Sequence, residues 1–206
     1  MSPFVSAAVG SMGKVDLDAY FDAELAEHGA VLQATRAALE VPFARLVRLS
    51  AEAIRGGHKI LFFGNGGSAA DAQHLAAELT VRFKRDRAPI AAVALTTDGS
   101  VLTAVGNDLG FEQLFARQLR ALGLRGDVAI AISTSGKSRN VVLALEVARE
   151  MGLIAAAFTG DGGGDLKGLA DPLLAVPSTS VARIQEMHIT LGQMLCGALE
   201  QELGLV

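Results

Sequence analysis

The segment AIAISTSGKSRN at residues 129–140 places hydroxyl side chains directly after an apolar run, which is typical of a strand that leads into a helix. Its Gly-Lys-Ser ending resembles a nucleotide-binding P-loop. That motif needs a second glycine five residues before Gly136, where this chain has Ala131. The loop that wraps a triphosphate is therefore missing, and a different ligand is expected here.

A single phosphate monoester suits this segment. The N-terminus of a helix has free N–H groups and a positive partial charge, which attract phosphate. Neutral hydroxyl donors complete such a cradle without a metal ion or a large basic cluster. The alternative is ordinary helix capping by Ser135 or Ser138, but capping accounts for one hydroxyl and not for four. We therefore predict that the phosphate is held by Ser133, Thr134, Ser135 and Ser138.

Short apolar runs alternate with helical patterns on both sides of this segment. The expected strands are residues 59–63, 91–95, 128–132, 153–158 and 173–176, and the expected helices are residues 68–83, 111–122, 139–151 and 181–202. This alternation predicts a parallel sheet that is covered by helices on both faces. Ligands bind such sheets at the carboxyl ends of strands near a switch point, which selects the loops at residues 64–68 and 133–138.

The N-terminal part has no strand pattern. Residues 15–54 carry apolar side chains at steps of three and four, which predicts helices that serve as an arm or an oligomer contact. Pro42 is expected to start or kink one of them. Residues 1–14 lack the charge pattern of a signal peptide and are expected to be a loose tail. Residues 15–206 are expected to form a single domain.

Composition excludes several classes of function. The net charge of -4 and a pI of about 5.6 argue against the basic footprint of a nucleic-acid-binding protein. No apolar run is long enough to span a bilayer, so we expect no membrane partner. The one cysteine, Cys196, lies in an apolar helical context and is expected to be a buried core residue. These features together favour a cytoplasmic protein.

The loop GNGGS at residues 64–68 is the second candidate binding segment. Gly66 and Gly67 allow a sharp turn and close approach of a ligand to the backbone. Asn65 offers an amide to a hydroxyl or carbonyl group, and Ser68 is a natural N-cap of the next helix. A plain turn between a strand and a helix is the alternative and, for this loop alone, the commoner case.

The remaining candidate metal-ligating and acid/base residues lie on the polar faces of two predicted helices. His74 and Glu78 are four residues apart and share a helix face, which suits two ligands of one metal ion, an acid/base pair, or a plain surface pair. The closing helix has a similar set, for which a solvated face is the alternative: Arg183, Gln185, Glu186, His188 and Gln193. Asn107 and Asp108 are expected in a turn that could line a sugar site.

Several of these segments together resemble the phosphoheptose isomerase family, a branch of the sugar isomerase (SIS) domains. They are GNGGSAADAQHLAAEL, ALTTD, VGNDLGFEQLFARQ, GDVAIAISTSGKSRNV and ARIQEMH. The resemblance implies a five-stranded parallel α/β/α sandwich and a homotetramer with sites between subunits. It also implies conversion of D-sedoheptulose 7-phosphate to D-glycero-D-manno-heptose 7-phosphate through an enediol. That reaction is the first step towards the nucleotide-activated heptose of lipopolysaccharide.

The resemblance also implies roles for single residues. Substrate contacts fall on Asn65, Gly66, Gly67, Ser68, Glu78, Asn107, Asp108 and Gln185, and the phosphate falls on Ser133, Thr134, Ser135 and Ser138. Glu78 matches the acid/base carboxylate, and zinc would be held by His74, Glu78 and Gln185. At Gln193 the family has a histidine that serves as metal ligand and base. An amide ligates weakly through oxygen and carries no proton near neutral pH, so we expect weakened zinc binding and slower turnover.

One alternative function shares the same fold. Some SIS-domain proteins are non-catalytic regulators that bind a replication initiator, and the segments RIQEMH and QLRALG resemble theirs. A sugar-phosphate sensor without turnover is a related possibility. Those regulators lack a glutamate at the position of Glu78, so this residue favours an enzyme, whereas Gln193 favours a binding protein.

Overall fold

One parallel sheet organises the protein. The computed structural model describes residues 15–206, and the tail expected at residues 1–14 lies outside them. The strands are β1 (Ile60–Gly64), β2 (Ala92–Ala94), β3 (Val128–Ser133), β4 (Ile154–Thr159) and β5 (Leu173–Ala175). They pair in parallel in the order β2-β1-β3-β4-β5. The chain adds β2 on one side of β1 and then β3, β4 and β5 on the other side. The switch point therefore lies between β1 and β3.

Helices cover both faces of the sheet. They are α1 (Leu17–Arg55), α2 (Gly67–Thr80), α3 (Gly99–Asp108), α4 (Leu114–Leu122), α5 (Arg139–Glu150) and α6 (Val181–Glu202), with short 3-10 segments at Phe111–Gln113 and Gly164–Leu166. The five-stranded parallel α/β/α sandwich with an N-terminal helical arm is thus confirmed. None of the helices in residues 15–206 combines the length and apolarity that a bilayer crossing requires.

The central strands supply the core to both layers. Ile60 and Phe62 of β1 pack with α1, α2 and α6, whereas Leu61 and Phe63 pack with α4 and α5 on the other face. All four side chains are fully buried, and each contributes roughly 1.5–3 kcal/mol of burial free energy. Because β1 is packed on both faces, the loop at its carboxyl end begins at a fixed position.

The structure differs from the sequence-based predictions in two local details. Residues 17–55 form the single 39-residue helix α1, so Pro42 does not start a helix but lies inside one, where the buried side chains Leu39, Leu46 and Val47 hold the flanking turns against the core. Asn107 and Asp108 lie in the last turn of α3, a helix that the sequence did not predict. Glycines and β-branched residues weaken its helical signal, but Asp98 caps it by accepting from the amides of Ser100 and Val101.

Candidate active site

Helices α2 and α6 lie side by side and bring the predicted polar faces together. On α2, Nε2 of His74 is 3.3 Å from Oε1 of Glu78. From α6, Nε2 of Gln193 comes within 3.3 Å of the same His74 nitrogen, although the two residues are 119 positions apart. His74 is half-exposed and Glu78 is 23% exposed, so a small solute can reach this cluster. We refer to His74, Glu78 and Gln193 as the helix-pair cluster.

Gln185 lies on the same face of α6 but further towards the sheet edge. A Cβ atom added to Gly67 would be 2.6 Å from the Gln185 amide nitrogen, so the Gln185 side chain would have to move if residue 67 were larger than glycine. Gln185 therefore lies against the turn at residues 64–68.

Two groups of the helix-pair cluster have the spacing of metal ligands. Nε2 of His74 and Oε1 of Glu78 are 3.3 Å apart, which matches one edge of a tetrahedron with metal–ligand distances of about 2.0–2.1 Å, as zinc prefers. The Gln193 atom beside His74 is the amide nitrogen, so this amide would have to turn to offer its oxygen to a metal ion. In residues 15–206, no group of three or more His, Cys, Asp and Glu side chains could hold a metal ion. A zinc ion here thus depends on glutamine amides for its remaining donors, and the residues fit the ion as a weak site.

Two titratable groups on the same two helices, Asp71 and His188, have shifted pKa values. Burial raises the pKa of Asp71, one helical turn before His74, and the nearby charge of His74 partly opposes this rise. His188 is on α6 but is fully buried under the sheet, with its ring centroid 6.0 Å from that of Phe158. Burial lowers the pKa of His188 to about 4 against a weaker opposing effect of the Thr159 carbonyl. His188 is therefore neutral near pH 7 and lies outside the cleft.

The burial of His188 contradicts the alternative that the polar residues of α6 form a solvated helix face. Arg183 is buried as well and is bonded to Glu186 and to the Glu24 carbonyl of α1. The polar residues of α6 thus do not form one solvated face. Arg183 and His188 face the protein interior, while Gln185 and Gln193 face α2.

The predicted phosphate loop borders a cleft of about 290 Å³. Thr134 and Ser135 line it from one side, and Ser178 and Thr179 line it from the other. Its charged residues, Lys137 and Asp161, have opposite signs. Ser133 is buried at the end of β3, and Ser138 is half-buried where α5 begins. The structure thus gathers hydroxyls from two loops at the carboxyl edge of the sheet.

Helix capping does not account for these hydroxyls. Ser138 has the N-cap position of α5, yet its side chain makes no capping hydrogen bond. The Ser135 hydroxyl oxygen accepts only from the Lys137 amide, at 3.2 Å. Of the helices that follow strands at this edge, α2, α5 and α6 lack a side-chain cap, whereas Asp98 caps α3, which follows β2. Uncapped N-termini leave amide donors available to an anion.

The turn at residues 64–68 differs in detail from its prediction. Gly66, with φ of 56°, takes the N-cap position of α2, and Ser68 lies inside the first turn of the helix. Only glycine adopts this backbone conformation readily, which displaces the serine from the cap. The Ser68 side chain is buried, so it is not presented to the cleft. Asn65 is half-buried, and Gly66 and Gly67 are exposed.

Two predicted residues lie apart from the others. Asn107 and Asp108 are exposed at the end of α3, where the Asn107 amide donates to the Asp108 carboxylate at 2.6 Å. Within residues 15–206, no hydrogen bond joins this pair to the other candidate residues.

Sequence reasoning missed three residues of this region. Ser178 and Thr179 follow β5 and precede α6, which is the same pattern of hydroxyls after a strand that identified the phosphate loop. That pattern was therefore sufficient to find them. Asn140 is buried and bonds the Asn65 amide from 75 positions away, and no local pattern signals such a pair.

The family model, the related sequences and the related structures all indicate one family. The SIS domain family model matches residues 25–160. The phosphoheptose isomerase of Paramagnetospirillum magneticum is 58% identical over 181 residues, which cover 88% of this chain and 94% of that protein. The structure of phosphoheptose isomerase GmhA from Neisseria gonorrhoeae has a TM-score of 0.85 and 44% identity, covering 90% of this chain and 99% of that one. A phosphoheptose isomerase from Francisella tularensis has a TM-score of 0.85 at 34% identity, covering 91% and 100%.

Proposed function

The chain belongs to the phosphoheptose isomerase family of SIS-domain proteins, and from this premise we propose that it converts D-sedoheptulose 7-phosphate to D-glycero-D-manno-heptose 7-phosphate. The observation that carries the proposal is the pairing of two features in one molecule. A cleft lined by hydroxyls suits a phosphate monoester, and an accessible carboxylate, Glu78, lies beside an imidazole. A binding protein without catalysis has no need for the second feature.

Glu78 is the proposed carrier of the carbon-bound proton. In an aldose–ketose isomerisation, a base removes a proton from C1 of the ketose, and the carbonyl oxygen at C2 gains a proton to give an enediol. The proton then returns to C2 as the oxygen on C1 loses its own, so no atom is gained or lost. Glu78 can serve both carbons in turn, since they are neighbours on one face of the substrate.

The loops hold the sugar while the proton moves. Ser133, Thr134, Ser135 and Ser138 bind the phosphate together with amides of the uncapped helix α5. Asn65, Gly66, Gly67 and Gln185 contact the sugar hydroxyls. Fixing the phosphate at one end sets the position of the reacting carbons at the other, and such positioning lowers the entropic part of the barrier.

Zinc is the proposed cofactor. His74 and Glu78 have the required spacing, Gln193 lies beside them and would bind through its amide oxygen, and Gln185 is the further donor that the family resemblance implies. When bound, zinc polarises the substrate oxygens as a Lewis acid. Amide donors hold it weakly, so occupancy depends on the supply of the metal.

A homotetramer with sites between subunits is the proposed assembly. α1 exposes a row of large apolar side chains, namely Leu17, Tyr20, Phe21, Leu25 and Leu32. A groove of about 440 Å³ between α1 and α6 continues this row past Phe43 and Met187. Apolar surface of this extent suits contact with another copy. Asn107 and Asp108 then reach the site of a neighbouring subunit, which explains their distance from the other candidates.

The proposed place of this reaction is the cytoplasm, at the entry to nucleotide-activated heptose for lipopolysaccharide. The purified protein, incubated with sedoheptulose 7-phosphate in D2O, should form the aldose, with deuterium at C2 in those turnovers in which the proton on Glu78 exchanges with solvent before it returns. Unphosphorylated sedoheptulose is the matched control and should turn over poorly. Binding without turnover under every metal condition would instead favour the sensor or regulator.

The shared site has its own test. Glu78→Gln and Asp108→Asn variants should each be inactive, and oligomers reassembled from a mixture of the two should regain activity. Recovery requires that one site combines residues of two copies. No recovery in mixed oligomers of verified composition contradicts the shared site but leaves the isomerase activity of the wild type standing.

A further inference from the structure

Asn140 is a buried polar side chain next to the candidate site that has been given no role so far. It is 2% exposed and is the second residue of α5. Its amide nitrogen donates to Oδ1 of Asn65 at 2.9 Å, and the Asn65 amide nitrogen donates to Oδ1 of Asn140 at 2.9 Å. Two good hydrogen bonds therefore join one pair of side chains.

This pair spans the switch point of the sheet. β1 and β3 are neighbours, and their register ends at the pairs Phe63–Ala131 and Gly64–Ile132. Beyond that point the chain turns into α2 on one side and into α5 on the other. Within the described residues, no other hydrogen bond joins residues 65–68 to residues 134–140. The asparagine pair is thus the direct tie between the sugar loop and the phosphate loop.

The chemistry of a reciprocal amide pair fixes orientation. Each amide has two N–H hydrogens and two oxygen lone pairs, and the pair uses one of each. Asn65 keeps one N–H and one lone pair for a ligand. Neither amide can flip alone, because nitrogen would then face nitrogen and oxygen would face oxygen. The polarity that Asn65 presents to the cleft is therefore set jointly with Asn140.

We propose that Asn140 is a positioning residue of the isomerase, which holds the Asn65 amide in place and sets the distance between the sugar loop and the phosphate loop. The inference rests on the proposed function. Asn140 does not touch the substrate; it acts through Asn65. Without Asn140, the Asn65 side chain is free to rotate and to bond to water. The sugar then loses the oriented donor of Asn65, whereas the hydrogen bonds from the loop hydroxyls to the phosphate are unchanged.

A double-mutant cycle tests this inference. Asn140→Ala should lower kcat/KM by about tenfold or more, as expected from the loss of oriented hydrogen bonds, and Asn65→Ala should do the same. If Asn140 acts through Asn65, the double variant should be little worse than either single variant. Affinity for inorganic phosphate should stay within about twofold in Asn140→Ala, because the phosphate hydroxyls are untouched.

A matched control separates positioning from stability. Gln118 is a similarly buried amide whose nitrogen donates to the carbonyls of Leu95 and Leu114, away from the site. Gln118→Ala loses a comparable set of hydrogen bonds but should keep its kcat/KM. If Gln118→Ala loses as much activity as Asn140→Ala at equal stability, the effect is structural and the inference is wrong.

The remaining outcomes are equally decisive. Independent, additive losses in the cycle would show that Asn140 does not act through Asn65. An Asn140→Ser variant covers the case in which the alanine variant fails to fold. It removes the reciprocal amide pair without burying a charge, so it should fold and still lose activity, whereas full activity would overturn the inference. A wild type without turnover contradicts the proposed function instead.

Discussion

The phosphate loop and the helix-pair cluster are built in different ways. The loop at residues 133–138 is one continuous segment that follows from the end of a single buried strand. The helix-pair cluster is assembled from two helices, with Gln193 and His74 far apart in the chain. A contiguous loop can bind its ligand wherever its strand is formed. The cluster depends on the packing of α2 against α6 and on the identity of each side chain. We therefore expect substitutions to impair proton transfer more than phosphate binding.

The largest expected effect is the loss of turnover in Glu78→Gln. The amide is nearly isosteric but cannot accept the carbon-bound proton, so kcat should fall by about 10²–10⁴-fold, the usual worth of a positioned acid/base group. Substrate affinity should change little, because the phosphate loop is intact. Steady-state kinetics and calorimetry measure the two effects separately. Glu52→Gln, an exposed carboxylate on α1, is the control and should match the wild type.

A kcat in Glu78→Gln equal to that of the wild type would remove Glu78 as the proton carrier. A parallel loss of affinity would show that the two regions are not separable. Either result would contradict the division of roles in which the phosphate loop binds the substrate and the helix-pair cluster transfers the proton.

The same contrast explains how much could be predicted from the sequence. The strands and the loops at their carboxyl ends followed from contiguous apolar runs and from the residues directly after them. His74 and Glu78 followed from helical spacing within one helix. Pairs between distant segments, such as Asn65 with Asn140, have no local signature because they form only when β1 and β3 pair. Helix α3 was missed because its stability comes from the Asp98 cap and the buried Val105 more than from its own propensity.

Burial on α6 was also hidden from the sequence. Arg183 and His188 are polar residues in an amphipathic pattern, and polarity alone places them on a solvated face. The structure buries Arg183 among α1 residues and His188 beneath Phe158 and Thr159. Only the packing of α6 against both the arm and the sheet decides this, and packing depends on residues far away in the chain.

His188 should make stability depend on pH. Burial lowers its pKa from 6.5 to about 4, so the unfolded state binds more protons than the folded state between these values. The free energy of unfolding should therefore fall as the pH falls from about 6.5 to about 4, by on the order of 3 kcal/mol. His188→Leu should flatten this slope, as measured by urea unfolding at several pH values. An unchanged slope in that variant would show that another group titrates.

Asp127 adds an effect at lower pH. Burial tends to raise the pKa of its carboxyl group, but hydrogen bonds from the Lys59 side chain and from the Leu124 and Lys59 amides bring it below its ordinary value. Its stabilisation is present above the ordinary value and is lost as the pH falls through the folded-state pKa. The slope that remains in His188→Leu should therefore lie at more acid pH.

Single hydroxyls of the phosphate loop should matter less than Glu78. Ser135→Ala or Ser138→Ala removes one hydrogen bond to a charged phosphate, which costs about 1.5–3 kcal/mol of binding free energy. Calorimetry with the substrate measures the affinity, and kcat should be nearly unchanged at saturation. Ser100→Ala, on the exposed start of α3, is the control. Wild-type affinity in both loop variants would remove the phosphate assignment.

The smallest expected effect, and the sharpest test of the helix-pair cluster, is a gain in Gln193→His. Gln193 already lies 3.3 Å from Nε2 of His74, so a histidine here places a second imidazole beside Glu78. An imidazole binds zinc more strongly than an amide and can carry a proton near neutral pH, which an amide cannot. We expect about a tenfold rise in kcat, below the usual 10²–10⁴-fold worth of an acid/base group, because Glu78 is already in place.

Metal content gives this prediction a second, independent readout. Zinc affinity, measured by competition with a chelator, should rise in Gln193→His whether or not turnover does. Gln201→His, an exposed glutamine near the end of the same helix, is the matched control and should change neither quantity. A rise in zinc affinity without a rise in kcat would mean that metal binding and proton transfer are separate tasks at this position. A Gln193→His variant that gains neither, beside a wild type that is already fast, would show that the chemistry of this chain does not depend on residue 193, and the helix-pair cluster would then be as tolerant as the loop.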